Sequence, residues 1–185
     1  MVMATTTTDP ITAKLEALFH ATDSNNDGHV EWEDYHGIIE RCLSAYKIDK
    51  NDRRARALLA AYQMSWIELL RHANGEDRLS KDQFVLATRL SAVDTSRHNL
   101  VEGLSHAIFD IIDSDGTNAI DKAEFEKYVK VWGIDASSAL EAFGKLDLDG
   151  DGEISRHEFI RAAREFFYSP DLDTPGSLFF GHLSV

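Results

Sequence analysis

The stretch Asp147-Leu-Asp-Gly-Asp-Gly-Glu-Ile-Ser-Arg-His-Glu158 determines how the rest of the chain is interpreted. A hard divalent cation such as Ca²⁺ takes about six to eight oxygen ligands, and a twelve-residue loop supplies them from positions 1, 3, 5, 7, 9 and 12. Position 7 contributes its backbone carbonyl, and glycine at position 6 allows a sharp turn with positive φ. This stretch fills every slot of such a loop. Its predicted ligands are Asp147, Asp149, Asp151, the carbonyl of Glu153, and Glu158.

The same unit of helix, polar loop and helix occurs four times along the chain. Gly, Asp and Asn cluster near residues 23–34, 74–77, 113–118 and 147–152, and apolar residues recur at helical spacing around each cluster. No proline lies between Pro10 and Pro170, which favours helices over a turn-rich β fold. The sequence therefore predicts a compact all-α protein of four helix–loop–helix units in two paired lobes.

The predicted organisation has four parts. These are a disordered N-terminus (1–10), a first pair of units (11–92), a second pair (98–169) and an apolar tail (170–185). The short, polar, non-periodic segment Val93–Arg97 is the expected junction between the pairs.

The third loop is a second predicted cation site. Its ligands are Asp113, Asp115, Thr117, the carbonyl of Ala119, and Glu124, with Asp121 at position 9. Thr117 is a neutral ligand, and Asn118 takes the turn position that glycine fills more easily. We expect this loop to bind with a modest loss of affinity.

The first loop departs from the pattern at its last position. Its predicted ligands are Asp23, Asn25, Asp27, the carbonyl of His29, and Asp34. Aspartate is one methylene shorter than the usual glutamate, so bidentate reach is reduced and six-coordinate Mg²⁺ is favoured relative to Ca²⁺. Glu31 at position 9 offers partial compensation. We expect binding here with a mixed ion preference.

The second loop lacks the acidic ligands. If Leu79 is position 8, then His72 and Gln83 occupy the two anchor positions; a loop shortened by one residue would instead begin at Ala73 and restore the helical phase with Leu69. Neither alignment predicts an ion site. The loop is expected to be structural, with Val30 paired to Leu79 as Ile120 is to Ile154.

The charge of the chain follows from these loops. The formal net charge is −13, with 32 acidic residues, and 12 of the acids occupy side-chain ligand positions of the three competent loops. Their mutual repulsion should leave the ion-free protein looser than the filled one. The acidic balance argues against binding to nucleic acid or to an anionic membrane surface. Since no secretory signal or apolar span is visible and the chain has one cysteine, we expect a cytoplasmic monomer.

These loops and their spacing resemble the EF-hand sarcoplasmic calcium-binding proteins, including the bacterial calerythrin group. The resemblance covers residues 11–181, and the ending Ser169–Gly181 is similar to the calerythrin tail. It implies a compact Ca²⁺ buffer or signal modulator with up to three ions. Three intact loops and a silent second one are also found in the coelenterazine photoproteins, which would require His, Trp and Tyr around a cavity. The available aromatics are Trp32, Trp66, Trp132, Tyr128 and Tyr168, and we expect them to be core residues.

A buffer is favoured over a sensor by the apolar composition. Sensors expose a methionine-rich groove on binding Ca²⁺, whereas Met64 is the one methionine outside the first three residues. We expect the tail to fold back and fill the groove that a sensor would offer to a protein target. Surface packing, fraying, or release of the tail as a switch are the alternatives. The tail residues concerned are Leu172, Leu178, Phe179, Phe180 and Leu183.

An enzymatic function is not favoured. Cys42 and His36 are six residues apart on a predicted helix and do not share a face, so they form no evident pair of nucleophile and base. Cys42 is expected in the core, and His29 and His157 are expected to be solvated.

Overall fold

The computed structural model describes residues 8–93 and 100–183, and most of these residues lie in helices. The predicted all-α class with four helix–loop–helix units is confirmed. No helix in the described ranges combines the length and the apolar character needed to cross a membrane. In chain order the elements are α1 (Pro10–Thr22), β1 (His29–Val30), α2 (Trp32–Ala45), α3 (Arg53–Leu70), β2 (Leu79–Ser80), α4 (Lys81–Val93), α5 (Leu100–Ile112), β3 (Ala119–Ile120), α6 (Lys122–Val131), α7 (Ala136–Leu146), β4 (Ile154–Ser155), α8 (Arg156–Tyr168) and a C-terminal 3₁₀ helix (Pro175–Leu178).

Two short antiparallel ribbons join the loops in pairs. β1 pairs with β2 so that Val30 lies opposite Leu79, and β3 pairs with β4 so that Ile120 lies opposite Ile154. The predicted register is therefore confirmed. All four side chains are fully buried, which places the back of each loop pair against the core.

The two halves share one hydrophobic core. α3 packs extensively against α5, α1 lies against α8, and α2 lies against α6. The Tyr46 hydroxyl, at the end of α2, donates a hydrogen bond of 2.6 Å to the backbone carbonyl of Glu124 in loop three. The helices of the first half therefore contact the ion-binding elements of the second.

The first helix begins earlier than predicted. Residues 1–7 lie outside the described part of the chain, but Asp9 and Pro10, assigned to a disordered segment, belong to the start of α1. Asp9 Oδ1 accepts a hydrogen bond of 3.1 Å from the Ile11 amide, and proline suits the first turn because it has no N–H to satisfy. The predicted junction Val93–Arg97 falls outside the described residues from position 94 onwards.

The C-terminal tail packs into the second half of the molecule. Its 3₁₀ helix lies against α8 and α7, and the Phe179 and Phe180 side chains are buried. The Gly176 amide donates to Glu165 Oε2 at 2.8 Å, and a Cβ at Gly176 would overlap the Ala162 carbonyl and the Glu165 side chain. Tight docking therefore requires glycine at this position.

The five apolar tail residues are not equivalent. Leu178 and Leu183 are partly buried against the core, whereas the Leu172 side chain is 53% exposed. The expectation that Leu172 helps to fill a groove is therefore wrong. It precedes the 3₁₀ helix, and the chain reaches the aromatic core only after that helix has turned it inward.

Candidate metal centres

Loop four brings three of its predicted ligands together. One carboxylate oxygen from each of Asp147, Asp149 and Asp151 lies within 4.8 Å of the other two. Oxygens on opposite sides of a bound Ca²⁺ are about 4.6–5.2 Å apart, so this spacing fits the ion. Glu153 is exposed at the seventh position, and its amide donates to Asp151 Oδ1 at 2.9 Å. Glu158 is buried, and its Oε1 accepts the Leu148 amide at 2.8 Å.

Loop three forms a second cluster that includes its twelfth residue. Oxygens of Asp113, Asp115 and Glu124 lie within 4.8 Å of one another. The Thr117 hydroxyl donates to the Ala119 carbonyl at 3.2 Å, which brings the fifth and seventh ligand positions together. The Thr117 hydroxyl also lies 3.5 Å from Asp113 Oδ1, so the five predicted ligands of this loop lie close together.

Loop one has the same backbone turn but a looser set of acids. Asp23 and Asp34 are buried, and the Asp27 carboxylate accepts the His29 amide at 2.9 Å. Across the described residues, the groups of three acids that meet the 4.8 Å condition lie in loops three and four. Asn25 replaces one acid in loop one, and the shorter Asp34 side chain reduces the reach of another. This geometry agrees with the weaker Ca²⁺ coordination expected there.

Each loop is held in shape by its own ligands. The first-position carboxylate accepts the amide of the sixth residue at 3.0 Å in loops one, three and four, from Gly28, Asn118 and Gly152 respectively. Hydrogen bonds from backbone amides orient carboxylate oxygens before an ion arrives. The cost of ordering the loop on binding is thereby reduced.

The twelfth residue of each loop has two roles. In loop three, Glu124 Oε1 accepts the Ser114 amide at 2.8 Å and Oε2 accepts the Asp121 amide at 3.1 Å. Asp121 in return accepts the Glu124 amide, which completes a capping box at the start of α6. Asp34 and Glu158 make the corresponding bonds at the starts of α2 and α8. The residue expected to bind the ion therefore also caps the outgoing helix.

Loop two retains the cap without the ligands. The Ser80 amide donates to Gln83 Oε1 at 2.9 Å, so a neutral amide performs the capping that a carboxylate performs elsewhere. Ala73 and Leu69 are buried, and the amides of Arg71, His72 and Ala73, which follow the end of α3, make i→i+3 hydrogen bonds. Of the two possible alignments, the structure has the shortened loop that begins at Ala73. With alanine at its first position and glutamine at its last, this loop has no anionic anchor.

Electrostatics within loop four favour a cation. The Asp151 amide that donates to Asp149 lowers the pKa of that carboxyl, but desolvation and the charges of Asp151, Glu158 and Asp147 outweigh it, so the pKa is raised. Burial raises the pKa of Glu158, yet hydrogen bonds from Ser155 and from two amides at the loop start leave it lowered. The carboxylates repel one another while the twelfth residue stays ionised, and a bound cation relieves that repulsion.

Sequence reasoning did not single out the serines at position 2. The Ser24 hydroxyl donates to Asp34 Oδ1 at 2.9 Å, and the Ser114 hydroxyl donates to Glu124 Oε1 at 2.8 Å. Each hydroxyl fixes one oxygen of the twelfth residue. Recurrence of serine directly after the first aspartate in loops one and three was the available signal.

The cysteine is not part of a catalytic pair. Cys42 is buried, and burial raises the pKa of its thiol to about 12, so the reactive thiolate is scarce at neutral pH. His36 is about half exposed and lies 3.7 Å from Glu40. His157 is exposed and His29 partly buried.

An apolar cavity of roughly 80 Å³ lies between the two halves, about half the volume of a cavity that holds one benzene. Its lining includes Tyr35, Tyr62 and Trp132, together with Phe179 and Phe180 of the tail, and no histidine among the described residues. Of the aromatics predicted to be core residues, Trp66, Trp132 and Tyr128 are buried and Trp32 is partly buried, whereas Tyr168 is 38% exposed, so the expectation for Tyr168 is wrong. Within the described part of the chain, the cavity lining therefore holds the Tyr and Trp of the photoprotein alternative without its histidine.

Family models for an EF-hand domain pair match residues 101–164 and 12–42. Calerythrin from Saccharopolyspora erythraea is 23% identical over 160 residues, with 84% of this chain and 90% of calerythrin covered. A sarcoplasmic calcium-binding protein from Perinereis vancaurica tetradentata is 24% identical over 170 residues, with 92% and 96% covered. The chain is an EF-hand calcium-binding protein. Calerythrin and the sarcoplasmic calcium-binding proteins are among its homologues.

Solved structures show the same fold. A calcium-binding protein from Streptomyces coelicolor, described in terms of prokaryotic calcium-mediated regulation, superposes with a TM-score of 0.71 at 24% identity, covering 85% of this chain and 97% of that one. A sarcoplasmic calcium-binding protein from amphioxus gives 0.72 at 18% identity, covering 95% and 98%. The photoprotein berovin, whose three Ca²⁺-binding loops all bind Mg²⁺, gives 0.68 at 22% identity, covering 83% and 86%.

Proposed function

We propose that this protein is a three-site Ca²⁺ buffer whose hydrophobic core stays closed when the ions bind. One observation carries the proposal: the tail aromatics occupy the interior of the second half. Phe180 lies with its ring centroid 4.8 Å from that of Trp132 and 4.9 Å from that of Phe166, and Phe179 lies 4.8 Å from Phe159. A sensor presents such a surface to a target, whereas here the chain covers it with its own residues.

The three sites are assigned to loops one, three and four. The clustered acids of loops three and four support Ca²⁺ there. At loop one, the short Asp34 and the neutral Asn25 support a site shared between Mg²⁺ and Ca²⁺, and the Mg²⁺-loaded loops of berovin support the same assignment by likeness. Buffering calls for dissociation constants on the order of 10⁻⁹–10⁻⁸ M, against 10⁻⁷–10⁻⁵ M for sensing. Such tight buffers act in compartments with low free Ca²⁺, so the proposal places the protein in the cytoplasm. It also takes the protein to be a monomer.

The second candidate is a Ca²⁺-dependent switch that releases its tail to regulate a protein target. The tail docks on Glu165 of α8, and α8 begins at loop four and carries Glu158 in its first turn. Movement of α8 on ion binding would therefore act directly on the surface to which the tail docks. The regulatory description of the Streptomyces coelicolor protein supports this candidate by likeness.

A titration with Ca²⁺ in a fixed Mg²⁺ background separates the two candidates. The full chain is mixed with the apolar dye ANS, whose fluorescence reports exposed hydrophobic surface. A flat or falling signal up to about three equivalents supports the buffer, and a rising signal that saturates with Ca²⁺ supports the switch. Calorimetry of the Glu158→Gln variant should show one Ca²⁺ fewer than the parent. Retention of every ion in that variant would overturn the assignment of loop four.

Deletion of residues 171–185 tests the role of the tail. If the tail fills the core, the shortened chain should unfold at lower temperature and bind more ANS, because the surfaces under Phe179 and Phe180 become accessible. Unchanged stability and unchanged dye binding would contradict both the closed core and the tail switch.

A further inference from the structure

Arg156 and Asn118 face each other across the end of the second ribbon. The pairing of Ala119 with Ser155 and of Ile120 with Ile154 makes Asn118 and Arg156 the next opposed positions. Arg156 Nε donates a hydrogen bond of 3.1 Å to Asn118 Oδ1. A bond between side chains thus extends the ribbon from loop four into the turn of loop three.

The same guanidinium also holds the end of the helix that enters loop three. Arg156 Nη2 donates to Asp110 Oδ1 at 2.7 Å, and its Cζ lies 4.1 Å from the centre of the Phe109 ring. Nη1 lies 3.5 Å from His106 Nδ1. The planar, forked guanidinium can make these contacts at once, whereas a lysine ammonium cannot. Arg156 therefore connects the first turn of α8 to both the turn of loop three and the last turns of α5.

Asn118 is bonded both to Arg156 and to a predicted ion ligand. Its backbone has φ of 63°, and its amide donates to Asp113 Oδ2 at 3.0 Å. The corresponding residues in loops one and four are Gly28 and Gly152, which reach positive φ readily and have no side chain to be held. In loop three, a tethered asparagine replaces the glycine.

We propose that Arg156 is a positioning residue that couples the ion sites of loops three and four. The inference rests on the assignment of Ca²⁺ sites to these loops under the proposed function. Arg156 lies two residues before Glu158 in the first turn of α8, so a shift of that turn on ion binding in loop four moves the guanidinium. The movement passes through Asn118 to Asp113, and by linkage occupation of loop three affects loop four equally.

The coupling factor is a ratio of two Ca²⁺ affinities of loop three. The first is measured with loop four able to bind its ion, and the second with loop four unable to bind. Glu158→Gln silences loop four, Glu124→Gln silences loop three, and the protein with both substitutions isolates loop one. Calorimetry on these full-length proteins, each with and without Arg156→Lys or Asn118→Gly, gives the ratio in every background. Arg156→Lys keeps the charge, and Asn118→Gly removes the tethered side chain.

We expect the parent to show a coupling factor of at least about fivefold, within the usual range for linked sites. Either substitution should reduce it to about twofold or less, and the two together should reduce it no further because both break one connection. Arg164→Lys is the matched control, since Arg164 also joins α8 to α5, through Glu102 at 2.9 Å, and lies eight residues beyond Arg156 on α8. A coupling factor near one in the parent, or one left unchanged by both substitutions, overturns the proposal.

A measurement without metal separates this proposal from the proposed function. In Ca²⁺-free protein, Arg156→Lys should speed hydrogen exchange of the Asn118 amide relative to the Gly152 amide, which bonds to Asp147 in loop four without such a tether. Equal acceleration at both amides would indicate general loosening and contradict the positioning role. Fewer than three bound ions in the parent would contradict the proposed function. Unchanged hydrogen exchange at the Asn118 amide would contradict only the positioning role of Arg156.

Discussion

Lys14 Nζ lies 3.0 Å from the backbone carbonyl oxygen of Glu165, a residue 151 positions later in the chain. The same ammonium donates to the Ser169 carbonyl at 2.8 Å, and the Lys14 side chain is buried. Carbonyls at the end of a helix lack intrahelical partners and carry the negative end of its dipole. A lysine from the first helix thus caps the last one, and it joins the two halves across the core.

Replacement of Lys14 by methionine should destabilise the protein by about 1–3 kcal/mol, because two partly buried carbonyls lose a charged donor. The free energy of unfolding in urea, measured without metal, tests this expectation. Lys50→Met is the control: Lys50 is exposed, and its replacement should change stability by about 0.5 kcal/mol at most. Equal effects of the two substitutions would show that the cap contributes nothing.

Among the apolar tail residues, the buried aromatics should contribute most to stability and the exposed Leu172 least. Phe180→Ala removes a ring that is 5% exposed, and the expected loss is about 3–5 kcal/mol. Leu172→Ala, three residues before the 3₁₀ helix begins, should cost less than about 0.5 kcal/mol because that side chain is largely exposed. Thermal unfolding of the two variants measures the difference. A small effect at Phe180 would mean that the tail rests on the surface.

Lengthening Asp34 should change the ion preference of loop one. Asp34→Glu restores the reach needed for bidentate coordination, and the ratio of Ca²⁺ to Mg²⁺ affinity should rise on the order of tenfold. Competition calorimetry in the background with loops three and four silenced measures the ratio directly. Asp34→Asn is the companion variant, expected to lose the ion while keeping the cap. An unchanged ratio in Asp34→Glu would mean that Asn25, rather than Asp34, limits the site.

Alkaline pH should unfold the protein through its buried tyrosines. Desolvation raises the pKa of Tyr35, Tyr46, Tyr62 and Tyr128 in the folded state. Above the ordinary tyrosine pKa of about 10, the unfolded chain releases protons that the folded chain keeps. The free energy of unfolding is therefore unaffected by these tyrosines below that pH and falls as the pH rises above it. Phenolate absorbance and helical circular dichroism should therefore change together during a base titration. Ionisation of these four phenols near pH 10 with the helices intact would contradict the expectation.

Local features of the fold were readable from the sequence, whereas long-range packing was not. The loop pattern predicts the ion ligands and the position of each strand, and the pairing of Val30 with Leu79 follows from loop positions alone. Lys14 looks like any surface lysine in an amphipathic helix, and its burial depends on how α1 meets α8. The inward turn at Gly176 likewise depends on α8, so the sequence alone does not show that Leu172 stays outside the groove.

The contact between Arg156 and Asn118 lies between these two cases. The predicted register already opposed the two positions, but nothing local indicates that an arginine at that place reaches across rather than into solvent. The second loop is a similar case, because both of its alignments place Leu79 in the strand, and the burial of Leu69 and Ala73 favours the shortened one.

The glutamine that ends the second loop shows that the two tasks of the twelfth residue are separable. Gln83 accepts the Ser80 amide and closes the start of α4 with no charge. Loop two therefore serves as a natural control for mutagenesis of the other loops, because an amide at this position preserves the start of the helix. Replacing the twelfth acid of another loop by its isosteric amide should remove the ion and leave the fold unchanged. During evolution, the same single replacement of acid by amide can abolish ion binding at one loop without destabilising the fold.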